Sequence, residues 1–344
     1  MRRRRFLLLA LAVLLVPAAC GEDETGGAPE PSSEVKVADG FEVTEVYSEL
    51  EGPTQMVLEG SGTLLVAQLN GEEGSSDGQI LRLDADERRA EPEVLFDGLT
   101  TPTGVAVVDD EIWVMEERTL SRGPLDGGEL KVVLDDLPYN GRSEGTLTTT
   151  PEGDLLYNTS GTLDGTRAAE GSGILFSLTP GEEPVMLADG FKHAYAHVYD
   201  DDGTLWVTEM SDGEYEGEPA PDEVVAVHPG DDFAWPRCIG DREPVAVYGG
   251  NEDDCADTPP SHALFGPGAT PTSIEIAPWD PDLLVVALWV EGRVVTIPRT
   301  TEDTPAEVTT LVEGIERPQH LLAVGDRLLV TDHEQGTILS INPN

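Results

Sequence analysis

Six times along the chain one pattern recurs: a short apolar strand, a turn, then a stronger apolar strand. The copies are Met56–Gln68 (MVLEGSGTLLVAQ), Val105–Glu116, Leu147–Asn158, Ala196–Glu209, Ile274–Leu288 and Leu321–Asp332. In each, Gly, Asp or Pro separates two β-rich runs, which is the hairpin signature. A third strand often follows, as in Gly78–Leu83, Gly173–Leu178, Asp222–Val227, Gly292–Ile297 and Gly336–Ile341. A fourth lies between units, as in Val94–Pro102, Val185–Phe191 and Thr310–Pro318. A fixed-period unit too small to bury its own faces must stack on its neighbours. Four strands per unit and six units predict an all-β, six-bladed β-propeller of four-stranded blades. An early strand at Phe41–Tyr47 has no blade of its own and is expected to complete the last one.

The start of the chain reads differently. Residues 1–20 carry a basic stretch (Arg2 to Arg5), an apolar run (Phe6 to Val16) and small residues before Cys20. This is an export signal, and its apolar run is shorter than the roughly 20 residues of a spanning helix. Cys20 is the expected lipidation site of a bacterial lipoprotein, anchored outside the cytoplasm by acyl chains alone. Arg3-Arg4-Arg5-Phe6-Leu7 also resembles a twin-arginine signal. Residues 21–40 read as a flexible tether and 41–344 as the propeller. The formal charge of -47, from 67 acidic and 20 basic residues, excludes nucleic acid and anionic membrane surfaces as partners. A monomer is expected.

One large interruption, residues 229–270, separates the fourth and fifth units and holds Cys238 and Cys255. In an exported chain two cysteines in one loop predict a disulfide. Closing a loop of about 18 residues contributes roughly 3 kcal/mol on the chain-entropy estimate. His228 and His262 nearby lack ligand-like spacing.

The stretch Leu187–Asp241 resembles the glucose/sorbosone dehydrogenase family, especially its sorbosone-type branch. The resemblance rests on Leu205–Glu209 (LWVTE), Pro221-Asp222-Glu223 and Phe233-Ala234-Trp235-Pro236-Arg237-Cys238, in that order. It implies pyrroloquinoline quinone (PQQ) at the channel mouth, a calcium ion against the quinone, and oxidation of a small sugar or aldehyde. Hydride transfer of this kind needs a positioned base and positive charge beside the developing anion. The family's Arg-Asn pair falls on Lys192-His193. Its base histidine falls near Arg142, where this chain has no histidine, leaving Glu144 as an alternative base. Asp222 and Glu209, with Asp212, Glu214 and Glu216 nearby, are candidate calcium ligands. Trp289 and Arg317 are candidate cofactor contacts.

Plainer accounts stand beside these. Lys192-His193 is a solvated loop pair, the acids belong to an acidic surface, Trp289 packs a blade edge, Arg317 pairs with an acid, His197 packs inside a strand and Trp235 anchors the loop. Three functions follow: a PQQ- and calcium-dependent sugar or aldehyde dehydrogenase; a non-catalytic propeller binding a carbohydrate or a protein; and, last, a calcium-dependent lactonase.

Overall fold

The computed structural model describes residues 35–60, 62–84, 92–141, 144–211, 214–215, 218–300 and 305–344. The leader, Cys20 and most of the tether lie outside the described residues, as do Arg142, Asp212 and Glu216.

Six antiparallel four-stranded sheets account for the repeats. Blade 1 comprises Pro53–Glu59, Thr63–Gln68, Gly78–Asp84 and Glu93–Leu99, from inner to outer strand. Blade 2 runs from Gly104–Val108 to Lys131–Leu134, and blade 3 from Thr148–Thr149 to Val185–Ala188. Blade 4 comprises Ala194–Tyr199, Leu205–Glu209, Pro221–Val227 and Ser261–Pro267. Blade 5 starts at Pro271–Ile276 and takes Lys36–Val37 as a fifth, outermost strand. Blade 6 is Pro318–Val324, Arg327–Asp332 and Thr337–Pro343, and Phe41–Tyr47 completes it. The early strand thus closes the ring as expected, and closure covers the blade faces that the two ends of an open arc would expose.

The second strand of each blade is its most buried. Leu64, Leu65, Val66 and Ala67 in blade 1, and Leu284 to Leu288 in blade 5, are all essentially inaccessible. Both faces of these strands are covered by neighbouring blades, so they read as continuous apolar runs rather than alternating ones. The core is accordingly a series of inter-blade clusters; Trp206 and Val224 of blade 4, for example, pack with Ile274, Leu284 and Val286 of blade 5.

The interruption is shorter than the sequence implied. Its last part, Ser261–Pro267, is the outer strand of blade 4 and pairs with Pro221–Val227. The insertion proper holds a two-residue hairpin (Cys238–Ile239 with Glu243–Pro244) and the short helix Glu252–Ala256. A disulfide joins Cys238 to Cys255.

Candidate functional site

In four blades proline followed by a polar residue opens the inner strand or, in blade 2, immediately precedes it: Pro53-Thr54, Pro102-Thr103, Pro271-Thr272 and Pro318-Gln319. Proline lacks a ladder donor, and the first position of a strand tolerates it. The residue after it points to the axis. Thr54, Thr103, Thr272 and Gln319 all line one cavity of about 240 Å³, with His193, Tyr195, Glu73, Trp289 and His333. Where proline is followed by proline in the next blade, the threonine hydroxyl donates to that proline's carbonyl. Thr54 Oγ1 reaches Pro102 O at 2.8 Å and Thr272 Oγ1 reaches Pro318 O at 2.9 Å.

Blade 3 breaks this ring. Gln55 of blade 1 accepts from both Val105 N and Leu147 N at 2.9 Å, which aligns Leu147 with Val105. That alignment puts Glu144-Gly145 where blade 2 has Pro102-Thr103. Thr103 therefore has no proline carbonyl to meet, and its hydroxyl is buried without a partner among the described residues. A side chain at Gly145 would meet Tyr195 O at 2.3 Å and Asn158 Oδ1 at 2.1 Å, so only glycine fits there. Tyr195 reaches over the axis instead. Its hydroxyl accepts from Gln319 Nε2 at 2.7 Å, joining blade 4 to blade 6 past blade 5. Burial pushes the Tyr195 phenol well above its ordinary value, so it stays protonated.

Four of the six rims are held by a latch. The side chain ending the second strand accepts backbone N–H groups from the loop entering its own blade. Gln68 accepts from Glu51 N at 3.0 Å and Glu116 from Thr100 N at 2.6 Å. Glu209 accepts from Lys192 N at 2.5 Å and His193 N at 3.1 Å. Asp332 accepts from Glu316 N at 3.0 Å and Arg317 N at 3.1 Å. Blades 3 and 5 have Asn158 and Leu288 at this point and no such bond among the described residues.

Lys192, Asp222 and Trp289 share one rim. Asp222 accepts from Ser211 N (2.9 Å) and Thr270 N (2.7 Å); Trp289 N donates to Thr270 O; Met210 N donates to His193 O. His193 and Trp289 line the cavity, whereas Lys192 and Arg317 are not among the lining residues. The Lys192 ammonium lies 5.5 Å from the Trp235 ring and donates to Gly161 O at 3.1 Å. The Arg317 guanidinium lies 5.9 Å from the Trp289 ring, whose other neighbour, the His333 ring, is 4.9 Å away. Burial lowers the His333 imidazole, favouring its neutral form. Glu144 is wholly buried and outside the lining; Ser160 Oγ donates to its Oε2 at 2.8 Å. Its Oε1 has no partner among the described residues, and burial pushes the carboxyl up to about 8. At neutral pH it therefore holds its proton.

Sequence reasoning singled out His193 and Trp289 but missed Thr54, Thr103, Tyr195, Thr272, Gln319 and His333. A signal existed: the Pro-polar pair ahead of four inner strands marks the ring.

The lining does not fit PQQ. A flat tricarboxylate needs several cations, yet among the described residues no Lys or Arg lines the cavity, and Glu73 opposes an anion. Calcium takes six to eight oxygen ligands, carboxylates first, with backbone carbonyls and waters completing the set. Each carboxylate oxygen of Asp222 and of Glu209 already accepts a backbone N–H. Among the described residues the acids close enough together to share an ion are Asp200, Asp201 and Asp202, and Arg299 already pairs with all three.

No family model matches the chain and no curated protein matches it. Solved structures do. A Carbohydrate-Active Enzymes Family AA12 structure from Trichoderma reesei superposes with TM-score 0.75 at 14% identity, covering 90% of this chain and 98% of that one. The holo form of a pyranose dehydrogenase PQQ domain from Coprinopsis cinerea gives TM-score 0.72 at 16% identity, covering 92% and 99%. The PQQ-bound aldose sugar dehydrogenase from Streptomyces coelicolor gives 0.71 at 20%, also covering 92% and 99%. At such identities the likeness establishes the fold.

Proposed function

We propose that the cavity at the channel mouth binds a small, uncharged sugar or sugar aldehyde outside the cytoplasm. The observation that carries this reading is the buried Thr103 hydroxyl, left without a partner where blade 3 breaks the ring. Buried polar groups are almost always satisfied, so an orphan on a residue that lines a cavity marks a place for a ligand or water. Around it stand hydroxyl, amide, phenol and neutral imidazole groups with one aromatic edge, the mixture that suits a polyhydroxylated molecule. The disulfide supports an oxidising compartment, and the leader supports a lipid on Cys20. Calorimetric titration with D-glucose and D-galactose tests the site. Binding weakened several-fold by Thr103→Val supports it; no heat with either sugar at tens of millimolar overturns it. Incorporation of labelled palmitate, lost in Cys20→Ala, tests the anchor.

A second reading, a PQQ- and calcium-dependent sugar dehydrogenase, is favoured by likeness over 92% of the chain to structures described with PQQ bound. His193 and Trp289 would be its contacts on the cavity side, with Lys192, Asp222 and Arg317 at the rim. Dye reduction with an aldose after loading with PQQ and calcium would establish it; no quinone absorbance on the loaded protein would remove it.

A further inference from the structure

The largest cavity described lies away from the channel mouth. It measures about 710 Å³ and sits where the insertion meets the end of blade 4, lined by Ala226, His228 and the insertion's two arms. Cys238 and Cys255 join those arms covalently. Strand register puts the two cavities at opposite ends of Pro221–Val227. Asp222, near the start, holds the mouth loops, whereas Ala226, near the end, lines the cleft. Its volume falls inside the range of roughly 300–1,000 Å³ typical of ligand sites, and the mouth cavity falls just below it.

The lining chemistry narrows the occupant. Four carboxylates (Asp231, Asp232, Asp254 and Asp257) face two guanidinium groups (Arg237 and Arg242), so an anion meets an excess of like charge. A bare cation is no better served, because no three of these acids come close enough together to share one. Arg237 stands between Asp232 at 3.8 Å and Asp254 at 3.6 Å, contacts too long for full hydrogen bonds. Arg242 has its Nε fixed on Thr258 O at 2.8 Å, which orients its fork. Acceptor-only carboxylates and donor-only guanidinium groups thus share the cleft; Asp231, Asp232 and Asp254 each accept a bond, from His228 N, Ala234 N and Asn251 Nδ2, and keep further lone pairs. A neutral molecule with adjacent hydroxyls offers both roles at each position, and Pro259, Pro260 and Ala234 give its C–H faces an apolar wall.

We propose that this cleft is a second, independent carbohydrate site for a neutral glycan of two or three sugar units, since it has about three times the volume of the mouth cavity. The probes are maltotriose, cellotriose and chitotriose, titrated calorimetrically into the full chain. At least one is expected to bind with millimolar or better affinity. Asp257→Asn and Arg242→Gln should each weaken it tenfold or more, while His193→Ala at the mouth leaves it unchanged. Should Arg242→Gln fail to fold, Asp257→Asn, on an exposed side chain, still decides. The proposal falls if none of the three binds, if Asp257→Asn leaves binding intact, or if His193→Ala abolishes it.

Discussion

The channel mouth and the insertion cleft hold polar side chains in place by different means. The mouth is made by repetition: equivalent positions of successive blades meet at the axis, and four of the six rims are tied by a side chain accepting backbone N–H groups. The cleft is made by unique sequence, two irregular arms joined by one covalent bond. Damage to the first is therefore shared among blades, whereas damage to the second stays local. It also follows that only in the mouth does a broken repeat, such as Glu144-Gly145, leave a neighbour such as Thr103 unsatisfied.

The most damaging single change to the mouth is expected at Gln55. Its amide links three blades, accepting from Val105 N and Leu147 N and donating to Leu147 O at 2.6 Å. Gln55→Leu leaves these buried groups unpaired, each costing about 1–3 kcal/mol, so a total near 4 kcal/mol is expected. Urea unfolding followed by tryptophan fluorescence reads it. A loss under about 1 kcal/mol would mean that the blades are held independently of this amide.

Removing the disulfide sharpens the contrast. Cys238→Ser with Cys255→Ser should cost roughly 3 kcal/mol against unfolding and abolish trisaccharide binding at the cleft. Monosaccharide binding at the mouth should survive. Equal loss at both sites would show that the insertion also organises the channel.

A pH-dependent effect comes from Glu144. Its folded-state value, about 8, lies above the ordinary 4.5, so the native protein holds more protons than the unfolded chain between those values. The group's contribution is present at acid pH and is lost as pH rises through that window, by at most about 1.4 kcal/mol per pH unit. Glu144→Gln cannot ionise and should flatten the fall in Tm between pH 5.5 and 8.5. Glu223 and Glu275, each pushed up to about 7 by burial, leave some slope behind. An unchanged slope would place the proton elsewhere.

The architecture was legible in the sequence because a blade's second strand is apolar on both faces and its turns need Gly, Asp or Pro. These are local demands, and each appears in each copy. The outer strand of blade 4 was hidden because Ser261–Pro267 ends in Gly-Pro and follows an irregular arm. The strand Lys36–Val37 is two residues long, too short for any pattern. The site was harder. Lys192 and Arg317 were assigned from their place in the chain, but the direction of a long cation depends on which indole it finds, here Trp235 and Trp289. Glu209 and Asp222 read as candidate metal ligands because carboxylates suit both calcium and backbone N–H groups, and the N–H groups that each accepts show only in the fold.

The finest comparison lies inside the ring, between Thr54 and Thr103. Both are buried, both follow proline and both line the cavity. Thr54 Oγ1 donates to Pro102 O, whereas the Thr103 hydroxyl meets no partner among the described residues. Valine has nearly the shape of threonine, so the substitution removes the hydroxyl and little else. Thr54→Val should cost about 1 kcal/mol, the net worth of a hydrogen bond plus an acceptor left short. Thr103→Val removes a polar group that is buried and unpaid by any protein partner, and should be neutral or stabilising by a few tenths of a kcal/mol. Parallel chemical denaturation of the two variants without sugar decides. Equal losses would mean that Thr103 is already satisfied in the free protein, and the argument for a ligand at that hydroxyl would go with it.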